Sequence, residues 1–176
     1  DDHWLDRMAA WAMDPRVGAV GAKLSFPAGP LQHIGVVLGM GGSAGHFGAQ
    51  MPAGAPGWSH RHEVVHEIGA VTGACLAVER RKFMEVGGFD AVHLPIELSD
   101  IDLCLKLAAK GWTSLVDPLV HLMHEESASR GGATFRRLRV YEDQRAYFVS
   151  KWLSVLRDDP YFHPGLSLFD RREALG

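Results

Sequence analysis

The chain has 176 residues, of which 47% are apolar, and a formal charge of 18 − 21 = −3. That length bounds it to one domain or part of one, with enough apolar sequence to bury a sizeable core. The charge balance provides no basic field for nucleic acid, and no run of about 18 apolar residues provides a membrane span.

Trp4, Leu5, Met8, Ala9, Ala12 and Met13 recur at helical spacing, and Asp14-Pro15 stops that helix. The chain opens without Met, directly in this pattern, so it is expected to be part of something longer. Residues 17–26 read as an apolar strand ended by Pro27-Ala28-Gly29-Pro30, and residues 32–40 as a second strand. Residues 39–57, rich in Gly, Ala and Pro, are expected to form a long loop of low intrinsic order, functional or mobile. Residues 64–78 return to strand character, interrupted by Gly69 and by Thr72-Gly73. Residues 80–86 read as a short helix closed by Gly87-Gly88. Ser99 is the expected N-cap of the next helix, with Asp102 three residues on and Gly111 as its stop. Residues 112–116 and 119–123 are expected as two short strands around Asp117-Pro118. Phe135, Leu138, Tyr141, Phe148, Trp152 and Leu156 define a long helix, and the tail beyond Pro160 reads as irregular. Cys75 and Cys104, both in apolar sequence, read as reduced core thiols of a cytoplasmic protein.

Two constellations carry chemistry. Asp100 and Asp102 fall in the first turn of a helix, where the dipole stabilises anions. This is a plain helix-start pattern, and equally a place for a general base that takes a proton from a hydroxyl. Asp-x-Asp spacing also suits a divalent metal, although here the pair opens a helix rather than ending a buried strand. The second constellation follows the next apolar segment: His121, His124, Glu125, Glu126, Ser127, Ser129 and Arg130. His124 offers an imidazole ligand or a satisfied structural ring. Ser127, Ser129, Arg130 and Gly131 could cradle a diphosphate, arginine matching phosphate with its planar fork, or form a solvated connection. His60, His62 and His66 fit no common zinc spacing. Gly41, Gly42 and Gly45 do not follow a strand-turn-helix pattern, which argues against a dinucleotide fingerprint. Arg136, Arg137 and Arg139 read as a solvated basic face.

Taken in order, WLDRM, VGAVGAKLSFPAGPLQHIGVVLG, GSAGHF, AVTGACLAVERRKFMEVGGFD, LSDIDLCLKLAAKGW and HLMHEESASRG resemble the C-terminal half of family 2 glycosyltransferases of the GT-A fold. The resemblance runs to about Pro164. It implies an α/β fold: the acceptor-side half of a GT-A domain, a small mixed sheet with flanking helices. It also implies an inverting transfer from a nucleotide-diphosphate sugar to a glycan or lipid-linked acceptor, with a divalent cation, Mg or Mn. Asp100 matches the family's base, usually written Glu-Asp and here Ser99-Asp100. Asp102 matches a supporting acid, His124 a metal or diphosphate contact, and Thr72-Gly73-Ala74 a loop lining the acceptor and donor-sugar region. Ser129 and Arg130 would bind substrate on the leaving-group side, on a segment that closes over the diphosphate and is otherwise mobile. The Gln-x-x-Arg-Trp signature of processive synthases is absent, so transfer of one or a few sugars is implied. The family's nucleotide-binding half and its metal-binding Asp-x-Asp precede the position of Trp4-Leu5. Residues 1–176 alone are therefore expected to be inactive, not to retain the cation, and to self-associate through exposed edges. A cytoplasmic location is implied, at or near the inner membrane face, with peripheral membrane contact allowed.

Two other readings follow from the same residues. One is a hydrolase with Asp100, Asp102, His121 and His124 as metal ligands. The other is a non-catalytic interaction module using the Gly-rich loop and the basic helix, with an unstructured Asp100 neighbourhood.

Overall fold

The computed structural model describes residues 3–125, 135–172 and 174–176, with the side chains of residues 135–138 left aside. Helix α1 (Trp4–Ala12) leads into strand β1 (Val17–Ser25), followed by β2 (Leu31–His33), β3 (Val36–Leu38) and β4 (Ala44–His46). Strands β5 (His66–Ile68) and β6 (Leu76–Ala77) precede helices α2 (Arg80–Glu85) and α3 (Ser99–Ala108). Strand β7 (Thr113–Met123) and helix α4 (Phe135–Leu156) follow. The main sheet runs β2-β1-β7-β5, with β6 also on β1, while β3 and β4 form a separate ribbon. Strands β1 and β7 are parallel, and every other pair is antiparallel. This mixed sheet with flanking helices is consistent with a partial GT-A domain.

Strand β1 is buried throughout, which explains its nearly unbroken apolar sequence. Its Val20, Ala22 and Leu24 pack with Met8 and Ala12 of α1 on one face of the sheet. The larger core lies on the other face, where Leu103, Cys104 and Leu107 of α3 meet Phe148 of α4. Both cysteines are free thiols, and burial raises that of Cys104 to about 11. Among the described residues no helix is long and apolar enough to cross a membrane.

The structure revises four elements. The strand expected over residues 32–40 divides at Gly35, whose φ of +118° turns the chain out of the main sheet into the β3–β4 ribbon. A Cβ at Gly35 would stand 2.7 Å from Ile68 Cγ1, so only glycine fits this crossing. Residues 39–57 are not a loose loop: they contain β4 and bury Phe47, which packs on Phe162 at 5.7 Å. The extended segment expected over 64–78 keeps strand pairing at β5 and β6 and a single antiparallel bridge from Ala70 to Val36. Finally, the two strands expected around Asp117-Pro118 are one strand. The register against β1 jumps from Ala22↔Asp117 to Lys23↔His121, and Pro118 sits in that bulge. The bulge presents the wholly buried Asp117 to Arg7 Nε and Nη2, both at 2.9 Å, and to Trp11 Nε1 at 3.1 Å, which ties α1 to β7.

Candidate functional site

A cleft of about 660 Å³ opens beyond the carboxyl ends of β1 and β7, where Phe26, His124 and Glu125 line it. This is where sheets with parallel strands commonly bind ligands. The other cleft-lining segments are Thr72-Gly73-Ala74, the turn from Ile96 to Ile101, and parts of the β4 region. Five residues singled out by motif therefore share one cleft: Thr72, Gly73, Ala74, Asp100 and His124.

Asp100 is held by backbone donors. Its Oδ2 accepts from Gly73 N–H at 2.7 Å, and its Oδ1 from Ile101 N–H at 2.9 Å. A Cβ on residue 73 would lie 3.3 Å from Asp100 Cβ, so glycine permits this approach. Thr72 Oγ1 accepts from Ala74 N–H at 3.3 Å and closes the same small turn. The entry to α3 differs from expectation. Ser99 is the first helical residue, not the cap, and Leu98 precedes it at φ 62° without any side-chain cap. A left-handed leucine costs about 1–3 kcal/mol and persists only where its surroundings over-determine it. Gln144 of α4 supplies that support. Only 4% exposed, it accepts from the N–H groups of Ile96 and Glu97, both at 3.0 Å.

Asp102 does not face the cleft. It is wholly buried, with Oδ1 2.7 Å from Lys151 Nζ and 2.8 Å from Trp152 Nε1. Its Oδ2 lies 3.1 Å from Lys106 Nζ as an ion pair without hydrogen-bond geometry. Lys106 also reaches Gly88 O. Burial works against the Lys151 charge, but bonding and attraction to Asp102 hold its pKa above the usual value. The geometry of Asp102 is that of a clamp between α3 and α4.

His124 Nδ1 is 2.8 Å from Gln32 Oε1, an acceptor, so the tautomer that makes this bond carries its proton on Nδ1 and its lone pair on Nε2. Its backbone N–H bonds Ser25 O at 3.0 Å, fixing it to the end of β1. An imidazole with one nitrogen so oriented suits metal ligation at the other. Yet among the described residues no group of three His, Cys, Asp or Glu is arranged to hold a metal ion. These residues do not by themselves make a divalent-cation site. The hydrolase ligand set is dispersed accordingly: Asp102 is in its ion pairs, and His121 Nε2 meets Ser25 Oγ at 2.6 Å. The Asp100 neighbourhood is a hydrogen-bonded helix start, not the unstructured segment that the interaction-module reading needs. Ser129 and Arg130, with the rest of residues 126–134, lie outside the described residues.

Sequence reasoning passed over Gln32, His46, Gln144 and Arg171. The only local signals were polar Gln32 and His33 within an otherwise apolar strand, and nothing near Gln144 or Arg171 marks either one.

No family model matches the chain. It is 41% identical over 166 residues to the protein named y4gI of Sinorhizobium fredii, covering 94% of this chain and 18% of that one. It is 38% identical over 169 residues to the O-antigen biosynthesis protein RfbC of Myxococcus xanthus, covering 96% of this chain and 13% of that one. It is 31% identical over 168 residues to N-acetylglucosaminyl-diphospho-decaprenol L-rhamnosyltransferase of Mycobacterium tuberculosis, covering 89% and 53%. The chain thus spans about half the length of the rhamnosyltransferase and under a fifth of the other two. The relatives with functional names are consistent with a fragment of family 2 glycosyltransferase type.

Proposed function

We propose that this chain is the acceptor-side part of an inverting, non-processive glycosyltransferase. The donor is a nucleotide-diphosphate sugar, and the acceptor is a hydroxyl of a glycan or a lipid-linked saccharide. The observation that carries this reading is the convergence of Asp100, the Thr72–Ala74 turn and His124 on one cleft. The names of the rhamnosyltransferase and O-antigen relatives favour the same substrate class.

In this reading Asp100 is the base. Each carboxylate oxygen accepts one backbone N–H and keeps a second lone-pair direction. The acceptor hydroxyl docks there, gives up its proton and attacks the anomeric carbon from the side opposite the departing diphosphate. Gly73 and Ile101 hold the carboxylate in one orientation, so little reorganisation is needed at the moment of attack. Gln144 and the Leu98 turn fix where the helix start stands. His124 would give Nε2 as one ligand to a divalent cation, Mg or Mn, which would neutralise the leaving diphosphate; its other ligands would come from outside the described residues.

The test is Asp100→Asn in the longer protein that carries this chain, assayed for transfer from a panel of nucleotide sugars. Asparagine keeps the shape but cannot take the proton. Turnover should fall by about 10²–10⁴-fold, the usual contribution of a general base, with donor affinity retained. Turnover within a few-fold of the unmodified enzyme overturns the assignment. Residues 1–176 alone should transfer no sugar, because the resemblance puts the nucleotide pocket on preceding sequence.

A further inference from the structure

One wall of the cleft is apolar and exposed. Helix α2 gives way to Gly87 and Gly88, whose φ angles of +78° and +63° turn the chain sharply. A Cβ at Gly88 would stand 2.8 Å from the Phe83 ring, so glycine permits this turn. The turn delivers Phe89 to the cleft, its ring edge to face with Phe83 at 5.3 Å and 73°. Phe83 packs in turn against the larger core. Phe89 nevertheless stays 47% exposed, and Ile96, which also lines the cleft, 46%. Large apolar side chains left open inside a cleft mark a ligand surface.

The segment that carries both side chains is fastened to α4 at its two ends. Asp90 Oδ1 accepts from His93 N–H at 3.0 Å, and Asp90 Oδ2 from Tyr147 O–H at 3.1 Å. The His93 ring stacks on Tyr147, with centroids 4.3 Å apart at 8°. At the other end Gln144 holds the N–H groups of Ile96 and Glu97. Between them Leu94 is buried in the larger core. Phe89 and Ile96 are thus exposed on a fixed frame, so covering them with a ligand costs little ordering entropy.

The charge on this wall is negative. Glu97 and Asp100 both line the cleft, and the Glu97 carboxylate has no partner among the described residues. Lys106 bonds Gly88 O and Lys151 lies 4.0 Å from Asp90, but Asp90 and Asp102 balance their two charges. Arg171 is the one lysine or arginine among the described residues that line the cleft, and it belongs to another segment. Leu38 N–H donates to Asp159 Oδ2 at 2.8 Å, Gly41 N–H to Leu168 O at 2.9 Å, and Gly48 N–H to Arg171 O at 2.8 Å. These bonds fasten residues 159–171 as a strap along residues 38–48, apart from the wall. The wall itself offers apolar surface and carboxylate acceptors without a cation.

We propose that Phe89, Ile96 and Glu97 form a saccharide-binding wall that selects a neutral sugar ring. A sugar ring has an apolar C–H face and a rim of hydroxyl donors. The C–H face packs on Phe89 and Ile96, its hydrogens meeting the negative face of the aromatic ring. A rim hydroxyl donates to Glu97, a charge-assisted bond. A uronate, sulfated or phosphorylated ring would bring its own negative charge against Glu97 and Asp100, and the wall rejects it by that repulsion. Assigning this ring to the acceptor rests on the transfer reading, in which the attacking hydroxyl docks at Asp100, three positions from Glu97. Sugar binding at the wall does not rest on that reading.

The probes are a panel of neutral methyl hexosides and the matching methyl uronides. They are titrated into the longer protein that carries this chain and followed by saturation-transfer NMR. At least one hexoside should bind saturably, with transfer strongest to its C–H face, and its uronide should bind at least about tenfold more weakly. Phe89→Ala should weaken hexoside binding by about tenfold, and Phe89→Trp should keep it. Phe89→Leu keeps apolar packing on Phe83 without the aromatic face, so weaker binding at an unchanged melting temperature assigns the effect to the ring. Met84→Ala, exposed and outside the cleft, should change nothing. Glu97→Gln should narrow the gap between hexoside and uronide. No hexoside bound, a uronide bound as well as its hexoside, or hexoside binding unchanged in both Phe89→Ala and Phe89→Leu overturns the proposal. In the transfer assay Phe89→Ala should raise the acceptor KM and leave that of the nucleotide sugar unchanged. Transfer that needs Asp100 with an acceptor KM indifferent to Phe89 refutes the wall and leaves the transfer reading standing. Hexoside binding that depends on Phe89 in a protein with no transferase activity refutes the transfer reading and leaves the wall standing.

Discussion

Replacing Asp102 by Asn separates the two acids of the α3 start most sharply. The carboxylate is wholly buried and meets three groups: Lys151 at 2.7 Å, Trp152 at 2.8 Å and Lys106 at 3.1 Å. Asparagine keeps an oxygen for Trp152 but removes the charge that both ammonium groups face. Removing one partner of a buried pair costs about 3–5 kcal/mol, because the other charge is left uncompensated. Here Lys106 and Lys151 are 19% and 28% exposed, so water recovers part of that loss. The retained Trp152 bond saves about 1 kcal/mol more. The net expectation is a loss of about 2–4 kcal/mol, or about 4–16 °C in melting temperature for a domain of this size. Urea unfolding and calorimetry of Asp102→Asn beside Asp100→Asn measure it. Asp100 sits at the cleft with only backbone partners, so its variant should lose about 1 kcal/mol or less. A stable Asp102→Asn protein with turnover abolished would refute the clamp and return Asp102 to the chemistry.

Three further outcomes follow from the same geometry. Lys82, wholly buried on α2, donates to the carbonyls of Ala12, Asp14 and Val17 at 3.0, 2.7 and 2.7 Å; Lys82→Met should cost about 3 kcal/mol in urea unfolding by leaving those acceptors unpaired. Gly73→Ala should push Asp100 aside and lower kcat by about tenfold or more, with little change in melting temperature, since small misplacements of a reacting group are costly. Stability should fall as pH drops from about 6.5 toward about 4. Burial depresses His66 to about 4 and His33 well below its usual value, so the unfolded chain binds protons in that window that the native one does not. His66→Gln should flatten the melting-temperature profile there, and an unchanged slope would count against its burial.

Much of the architecture was legible locally. Helical spacing marks α1 and α4, the unbroken apolar run marks β1, and motif order brought Thr72–Ala74, Asp100 and His124 forward together. These signals work because periodicity and turn chemistry are properties of neighbouring residues. What remained hidden depends on partners far along the chain. Asp102 and Asp100 are alike as helix-start acids. They part because α4 covers α3, placing Lys151 and Trp152, 49 and 50 positions away, over Asp102 alone. Leu98 adopts a left-handed turn that no propensity predicts, supported by Gln144 nearly fifty positions on. The glycines of residues 39–57 imply freedom when read one at a time, but the β3–β4 pairing and the strap that carries Arg171 order them. Sequence by itself marked α1, α4 and β1 and singled out Thr72–Ala74, Asp100 and His124 as candidates, because those signals lie among neighbouring residues. The packing of distant elements decided which of two neighbouring acids reaches the cleft and which is buried as a clamp, because burial and charge pairing are set by contacts that sequence separation does not encode.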